Sequence, residues 1–301
     1  MSQSAMPAGG RYRAPSILGP LLFLLPVLVL IVVFFIFPLF TLLRFSFQEF
    51  TPGAREAGSP LSFANYVAVL GDAFYWRMLG NSLWLGFFTT LAALVIGYAV
   101  AFYLTRARGW ERTLIAVACL LPIFVNTIVG VLGWYILFLP FGVFQQVLSA
   151  LGLIEGPLTW LRSFWALVTV LTYEHVPFAV LILASSLQNV PADKINAARI
   201  LGAPTWRIIW TVMLPMTMPG IVASAILVFS LSISSYLVPI LIAGPRTQVI
   251  PISIFSFASE ILNWNMAGAL AFVLLVVVSA ITYGFLTLSN RLTRRSEWQV
   301  V

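Results

Sequence analysis

The chain has 301 residues, of which 61% are hydrophobic and only 8% charged, with mean hydropathy +1.02 and formal net charge +7. A water-soluble domain carries about 45–50% apolar and about 25% charged residues, so this chain cannot cover a water-facing surface. That excludes a soluble enzyme, a secreted disulfide scaffold and a disordered tail, and leaves the bilayer as solvent. The basic residues sit at the edges of apolar runs, where they report orientation in a membrane rather than nucleic-acid binding. Cys119 is the single cysteine, inside an apolar run, so no intramolecular disulfide can form.

The tail at 1–15 is rich in Ala, Gly, Pro and Ser and is expected to be disordered. A crossing helix needs about 20 apolar residues. Six windows qualify, at about 17–43, 81–104, 114–139, 164–187, 217–242 and 267–289. The expectation is an all-α, polytopic membrane protein with six spans in a transmembrane domain over 16–290, followed by a tail at 291–301. The first window is too long for a signal-peptide core and lacks a small-residue cleavage site, so it reads as a retained span. The charge-free stretch holding the third window is long enough for two helices, but Pro140, Gly142, Gln145 and Gln146 interrupt it. One span is expected there, followed by a re-entrant or interfacial segment at 141–151.

Six spans place both termini on one side. That side holds eleven of the sixteen basic residues, among them Arg106, Arg108, Arg112, Lys194, Arg199 and Arg207. By the positive-inside rule both termini are cytoplasmic.

The familiar catalytic motifs are missing. A phosphate-binding loop needs Gly then Lys then Ser or Thr, and the one lysine, Lys194, follows Asp193. His175 is the only histidine, so no His-x-x-x-His zinc pair exists, and no cofactor or metal site is expected in this chain. Glu174 and His175 are neighbours in sequence, about 100° apart around a helix, and do not converge as an acid–base pair.

One cytoplasmic loop, 190–215, stands apart. Pro191 suits the first turn of a helix, with Asp193 near its N-terminus and Arg199 near its C-terminus, matching the helix dipole. Gly202 suits a left-handed stop. Ala203-Pro204-Thr205 then starts a second short helix, whose apolar face is expected to be Trp206, Ile209, Trp210 and Met213. Physics alone leaves two readings open: a pair of interfacial helices anchored by tryptophans, or a rigid protruding handle.

The order Asn196-Ala197-Ala198-Arg199-Ile200-Leu201-Gly202-Ala203, then Leu214-Pro215 and Pro219-Gly220, is similar to the Glu-Ala-Ala…Gly…Leu-Pro loop of binding-protein-dependent ABC importer permeases of type I. Phe37-Pro38-Leu39, Ser46-Phe47, Phe63-Ala64-Asn65-Tyr66, Asn81-Ser82 and Leu187-Gln188 resemble the same family, most of all its spermidine/putrescine-type branch. The resemblance implies two ABC ATPase subunits carrying ATP and Mg, an external solute-binding protein, and either a second permease subunit, as a heterodimer that the departure at Asn196 favours, or a copy of this chain. The first half of the loop would be the coupling helix that enters a cleft on the ATPase. Asn196, Ala197, Ala198, Arg199, Gly202, Ala203 and Pro215 take the family positions. Asn196 stands where the family carries glutamate, and it cannot pair with a partner arginine as a charge.

Inside the spans a few polar residues need a reason. Glu174 lies mid-span, where a charge costs about 2.5–3.5 kcal/mol on insertion scales. It reads either as a carboxyl bonded to a neighbouring helix or as a pathway residue that attracts a cation. Pro177 is one turn later. Ser230, Ser232, Ser234, Ser235 and Tyr236 precede Pro239 and serve either as helix–helix glue or as pathway lining. Asn126 and Thr127 are similar candidates. The functional expectation is therefore a permease subunit for a small solute, a polyamine by the branch resemblance. The rival, an ion-coupled secondary transporter or channel acting alone, needs a charged relay of which Glu174 is the one member.

Overall fold

No water is available in a bilayer to satisfy backbone N–H and C=O groups, so a chain this apolar must close its hydrogen bonds within helices. The computed structural model describes residues 18–50, 60–140, 142–154, 160–244 and 247–297, and its elements are helical. The tail at 1–15 lies outside the described residues. By length and composition five stretches could cross a membrane: Leu24–Ser46, Ala73–Leu104, Thr127–Ala150, Phe164–Gln188 and Trp264–Thr287. A sixth results if Thr205–Met216 and Met218–Ser234, which meet at 70°, count as one bent span.

The first helix runs through α1 (Leu18–Ile31), a π turn (Val32–Ile36) and α2 (Phe37–Ser46). Residues 24–40 are exposed on every side, so only its last turns join the body. After α3 (Ala64–Gly71), α4 (Ala73–Leu104) begins eight residues before the expected span, because the Asp72 carboxylate accepts the Phe74 N–H at 2.8 Å and caps it there. α8 (Phe164–Gln188) is capped in the same way by Ser163, whose hydroxyl accepts from Ala166 N–H at 3.1 Å.

The core is α8 wedged between α4 and α12 (Met218–Ser234). Lipid tails are as apolar as leucine, so helices gain by close approach rather than by escape from water. Gly97 of α4 meets α8 where a Cβ would lie 2.9 Å from that of Ala179, and Gly86 meets Phe229 of α12 at 3.0 Å. Leu167, Leu171, Leu183, Val180 and Val228 fill the layer between. Helix α8 runs unbroken through Pro177.

The expected third span, 114–139, is not one helix. It is α5 (Gly109–Phe124) followed by α6 (Thr127–Phe138), with Val125 and Asn126 extended between them. The cause is local: the Asn126 side chain takes the Ile128 N–H at 2.9 Å and starts a new helix. Helix α7 (Val143–Ala150) occupies most of the segment expected at 141–151. The expected span 217–242 is likewise divided, into α12 and α13 (Leu237–Ile242), with Ser235 extended ahead of Pro239. Proline offers no N–H to the carbonyl four residues before it, which falls at Ser235.

A further helix, α14 (Ile250–Ser259), was not expected from sequence. Its first N–H, from Ile250, is accepted by Ser82 Oγ of α4 at 2.9 Å, while Asn81 Nδ2 donates to the Gln248 carbonyl at 3.0 Å. Helix α15 (Trp264–Glu297) closes the fold and continues through 291–297, where a tail was expected. Near its start Asn265 Nδ2 donates to the carbonyls of Phe45 and Gln48, at 3.0 and 2.9 Å. Asn65 Nδ2 donates to those of Ser46 and Gln48, at 3.0 and 2.8 Å. Two amides thus cap the C-terminal end of the first helix and hold it to the body.

Candidate functional site

The loop between α8 and α12 folds as helix, glycine turn, helix. Helix α9 (Ala192–Ile200) follows Pro191 and carries Asp193 in its first turn and Arg199 in its last. It stops in a Schellman turn: Gly202 N–H donates to the Arg199 carbonyl at 2.9 Å and Ala203 N–H to the Ala198 carbonyl at 3.1 Å. Gly202 has φ +77°, and nothing lies within 4 Å of where its Cβ would be. A side chain there would be strained by the backbone alone.

The handle has an outer and an inner face. Asn196, Ala197, Arg199 and Gly202 are exposed, and Ile200 and Leu201 are each 86% exposed. Ala198 and Ala203 turn inward and, with Ile195, pack on the cluster containing Ile208, Met213 and Leu187. The two alanines therefore part company, one presented and one packed. Just past α4, burial, and then the neighbouring Arg199 charge, pull the Arg106 guanidinium below its usual pKa. Its plane lies over the Phe102 ring at 3.7 Å.

The second half of the loop follows expectation in part, with Met213 buried and Ile209 packed beside it. It is α10 (Thr205–Ile208), a π turn (Ile209–Met213) and α11 (Leu214–Met216), with Pro215 exposed in the last. The π turn adds a residue to the helical repeat, so the buried positions are Ile208 and Met213. Trp206 and Trp210, expected on the apolar face, are each 66% exposed.

Deeper in the body, the polar residues form two groups. The Thr127 hydroxyl, at the first residue of α6, donates to Glu174 Oε1 of α8 at 3.1 Å. Asn126, Thr127, Trp134, Tyr173 and Glu174 share a void of about 20 Å³, the space of roughly one water. The carboxylate is thus aimed at the N-terminal end of a half-helix, where the helix dipole favours negative charge. His175 faces elsewhere, buried with Nδ1 3.3 Å from Ser232 Oγ of α12.

Ser234 and Tyr236 belong to the second group. They line a cavity of about 450 Å³ with Pro251, Ile254 and Phe255 of α14 and Leu274 of α15. Tyr236 stacks on Phe255, centroids 5.1 Å apart at 17°. Ser230 is half-buried on α12 and lines neither space. The structure therefore joins Asn126 to Glu174 and Ser234 to Tyr236, but does not bring these two pairs together. Phe255 was missed because α14 carries no charge or motif to mark it.

Comparison with known proteins agrees with this architecture. The spermidine/putrescine transport system permease protein PotB of Haemophilus influenzae is 26% identical over 245 residues, 81% of this chain and 85% of that protein. The trehalose/maltose transport system permease protein MalF of Thermococcus litoralis is 26% identical over 279 residues, 88% and 91% of the two chains. A crystal structure of a bacterial ABC transporter involved in the import of the acidic polysaccharide alginate superposes with a TM-score of 0.77 at 18% identity, over 92% of this chain and 96% of that one. That likeness shows the fold. Residues 93–295, about two thirds of the chain, match the family described as binding-protein-dependent transport system inner membrane component. The chain belongs to that family, and is a multi-pass inner-membrane permease subunit of an ABC importer rather than a transporter or channel working alone.

Proposed function

We propose that this permease carries a small organic cation of the polyamine class, driven by ATP that two partner ATPase subunits bind with Mg and hydrolyse. A second permease subunit completes the pathway, and an external solute-binding protein delivers the solute. Both termini and the 190–215 loop face the cytoplasm, the side richer in Arg and Lys. The observation that carries the reading is the handle. Helix α9 presents Asn196, Ala197, Arg199, Ile200 and Leu201 outward while Ala198 and Ala203 tie it to the core. An apolar pair 86% exposed at the end of a short surface helix is a knob that a partner's cleft would cover. Gly202 sets the angle of that knob, and Pro215 lies in the helix that returns to α12.

Glu174 and Asn126 form one polar station of the proposed pathway. Ser234 and Tyr236 form another, with Ser230 on the same helix. A carboxylate beside Tyr173 and Trp134 suits an alkylammonium group, which gains from both charge and aromatic faces. The spermidine/putrescine relatives support that solute class.

The test is reconstitution in proteoliposomes with the cognate ATPase and binding protein. Glu174→Gln should lower polyamine uptake at least tenfold while the binding protein's affinity stays unchanged. Equal uptake at equal protein level would return Glu174 to a purely structural role.

A further inference from the structure

Where the handle returns to the membrane, the chain turns by 70° between Thr205–Met216 and Met218–Ser234. Thr217 is the corner. Its N–H closes the handle on the Met213 carbonyl at 2.9 Å, and its carbonyl accepts the Ile221 N–H at 2.9 Å, the first bond of α12. The side chain is fully buried. Its hydroxyl proton is held by the carbonyls of Met213, at 2.9 Å, and Leu214, at 3.2 Å. Thr217 Oγ1 is left as acceptor for the Tyr98 hydroxyl of α4, 3.3 Å away.

An open groove of about 300 Å³ runs beside this corner, lined by Leu94, Val95 and Tyr98 on one side and Ile209, Trp210 and Leu214 on the other, with Val95 and Trp210 exposed at its rim. Elsewhere α4 and α8 touch at van der Waals distance. Close packing transmits displacement, and Ile208 and Met213 of the handle lie in one cluster with Ala93 and Ala101 of α4. The π turn Ile209–Met213 beside the groove is the kind of irregularity that marks a deformable helix.

We infer that Tyr98 and Thr217 are positioning residues for transport, a hydroxyl latch that fixes the corner of the handle to α4 beside the apolar packing and passes the handle's displacement on. The inference rests on the coupling role of the handle given above. With the latch intact, a push on α9 pivots at Thr217 and draws α4 and α12 together. Without it, apolar packing alone holds the corner to α4, and part of the handle's displacement is lost in the deformable π turn.

The measurement is solute moved per ATP hydrolysed in proteoliposomes holding the full complex. Tyr98→Phe and Thr217→Val each remove one hydroxyl and should lower that ratio about three- to tenfold, the worth of a neutral hydrogen bond, while ATP hydrolysis continues. Thr217→Ser keeps the oxygen and should restore the ratio. The double variant should be no worse than either single, because both delete the same contact. An unchanged ratio in Tyr98→Phe, or losses that multiply in the double variant, overturns the latch. If Thr217→Val does not reach the membrane, Tyr98→Phe carries the test from the other partner. The handle's own role is read separately: a wild-type chain that neither co-purifies with the ATPase nor stimulates it refutes the coupling reading and the latch with it. Wild-type coupling with insensitive variants refutes the latch alone.

Discussion

Thr127 Oγ1 donates to Glu174 Oε1 at 3.1 Å, joining the first residue of one half-helix to the middle of the most buried helix in the protein. The contact exists because α5 stops at Phe124 and lets the chain restart at Thr127. If Glu174 belongs to the pathway, Thr127 sets where its carboxylate points. Thr127→Val should reduce polyamine uptake by about tenfold, as expected for the loss of a hydrogen bond to a charged group, and Thr127→Ser should retain it. Uptake by the reconstituted complex is the measurement. An unaffected valine variant would detach Thr127 from the transport step.

Gly202 tests the handle. Its φ of +77° costs a Cβ-bearing residue about 1–2 kcal/mol, and more if the side chain is β-branched. Open space surrounds the position, so the penalty is confined to the turn. Gly202→Val should reach the membrane at normal level yet lose substrate-stimulated ATP hydrolysis and uptake together. Gly202→Asn, which tolerates the left-handed region, should keep most of both. Full activity in the valine variant would make the loop an interfacial anchor.

Asn196 is exposed on the outer face of α9, in the position where the resembled family carries glutamate. Asn196→Glu should be tolerated by the fold, since the residue is exposed. It should leave coupling equal or strengthen it, read as the stimulated hydrolysis rate. A fall of more than about twofold would show that the partner's surface here is tuned to an uncharged side chain.

The close approach of α4 and α8 depends on Gly97. A Cβ there would sit 2.9 Å from Ala179 Cβ and 3.5 Å from the Val180 backbone nitrogen, so the helices would have to separate. Gly97→Val should cost about 1–3 kcal/mol of stability, the usual range for overpacking. A lower thermal unfolding temperature in detergent would report it. Gly80, with no atom within 4 Å of its would-be Cβ, is the control: Gly80→Ala should be neutral or stabilising.

The first helix hangs on two amides. Replacing Asn265 by Ala removes donors to the Phe45 and Gln48 carbonyls, and replacing Asn65 removes those to Ser46 and Gln48. Each substitution should destabilise by about 1–2 kcal/mol. Protease sensitivity in the 45–60 region should rise most in the double variant, because only there does Gln48 O lose both side-chain donors. No added sensitivity in the double variant would place the anchor elsewhere, in the packing of Gly268 on Leu42.

Composition and the lengths of the apolar runs were enough for the class of this protein, because bilayer thickness and unsatisfied backbone groups leave few other solutions. The turn at Gly202 was legible too: a helix stop is a local event, and Arg199 to Ala203 contain all the groups that make it. Family resemblance in the same loop pointed to the permease. What the sequence alone could not supply was where helices break and what meets at the breaks. Asn126 looks like any polar residue in a span until its side chain is seen to take the Ile128 N–H and start a new helix. The second loop helix was legible in part: Met213 is buried and Ile209 packs with it as expected, but a regular 3.6-residue repeat cannot anticipate the π turn that adds Ile208 to the packed face and leaves Trp206 in the open. Contacts across long separations were decided by tertiary structure alone. Tyr98 and Thr217 lie 119 residues apart, and their hydroxyls meet only because α4, α8 and α12 pack closely enough to bring the corner of the handle against α4.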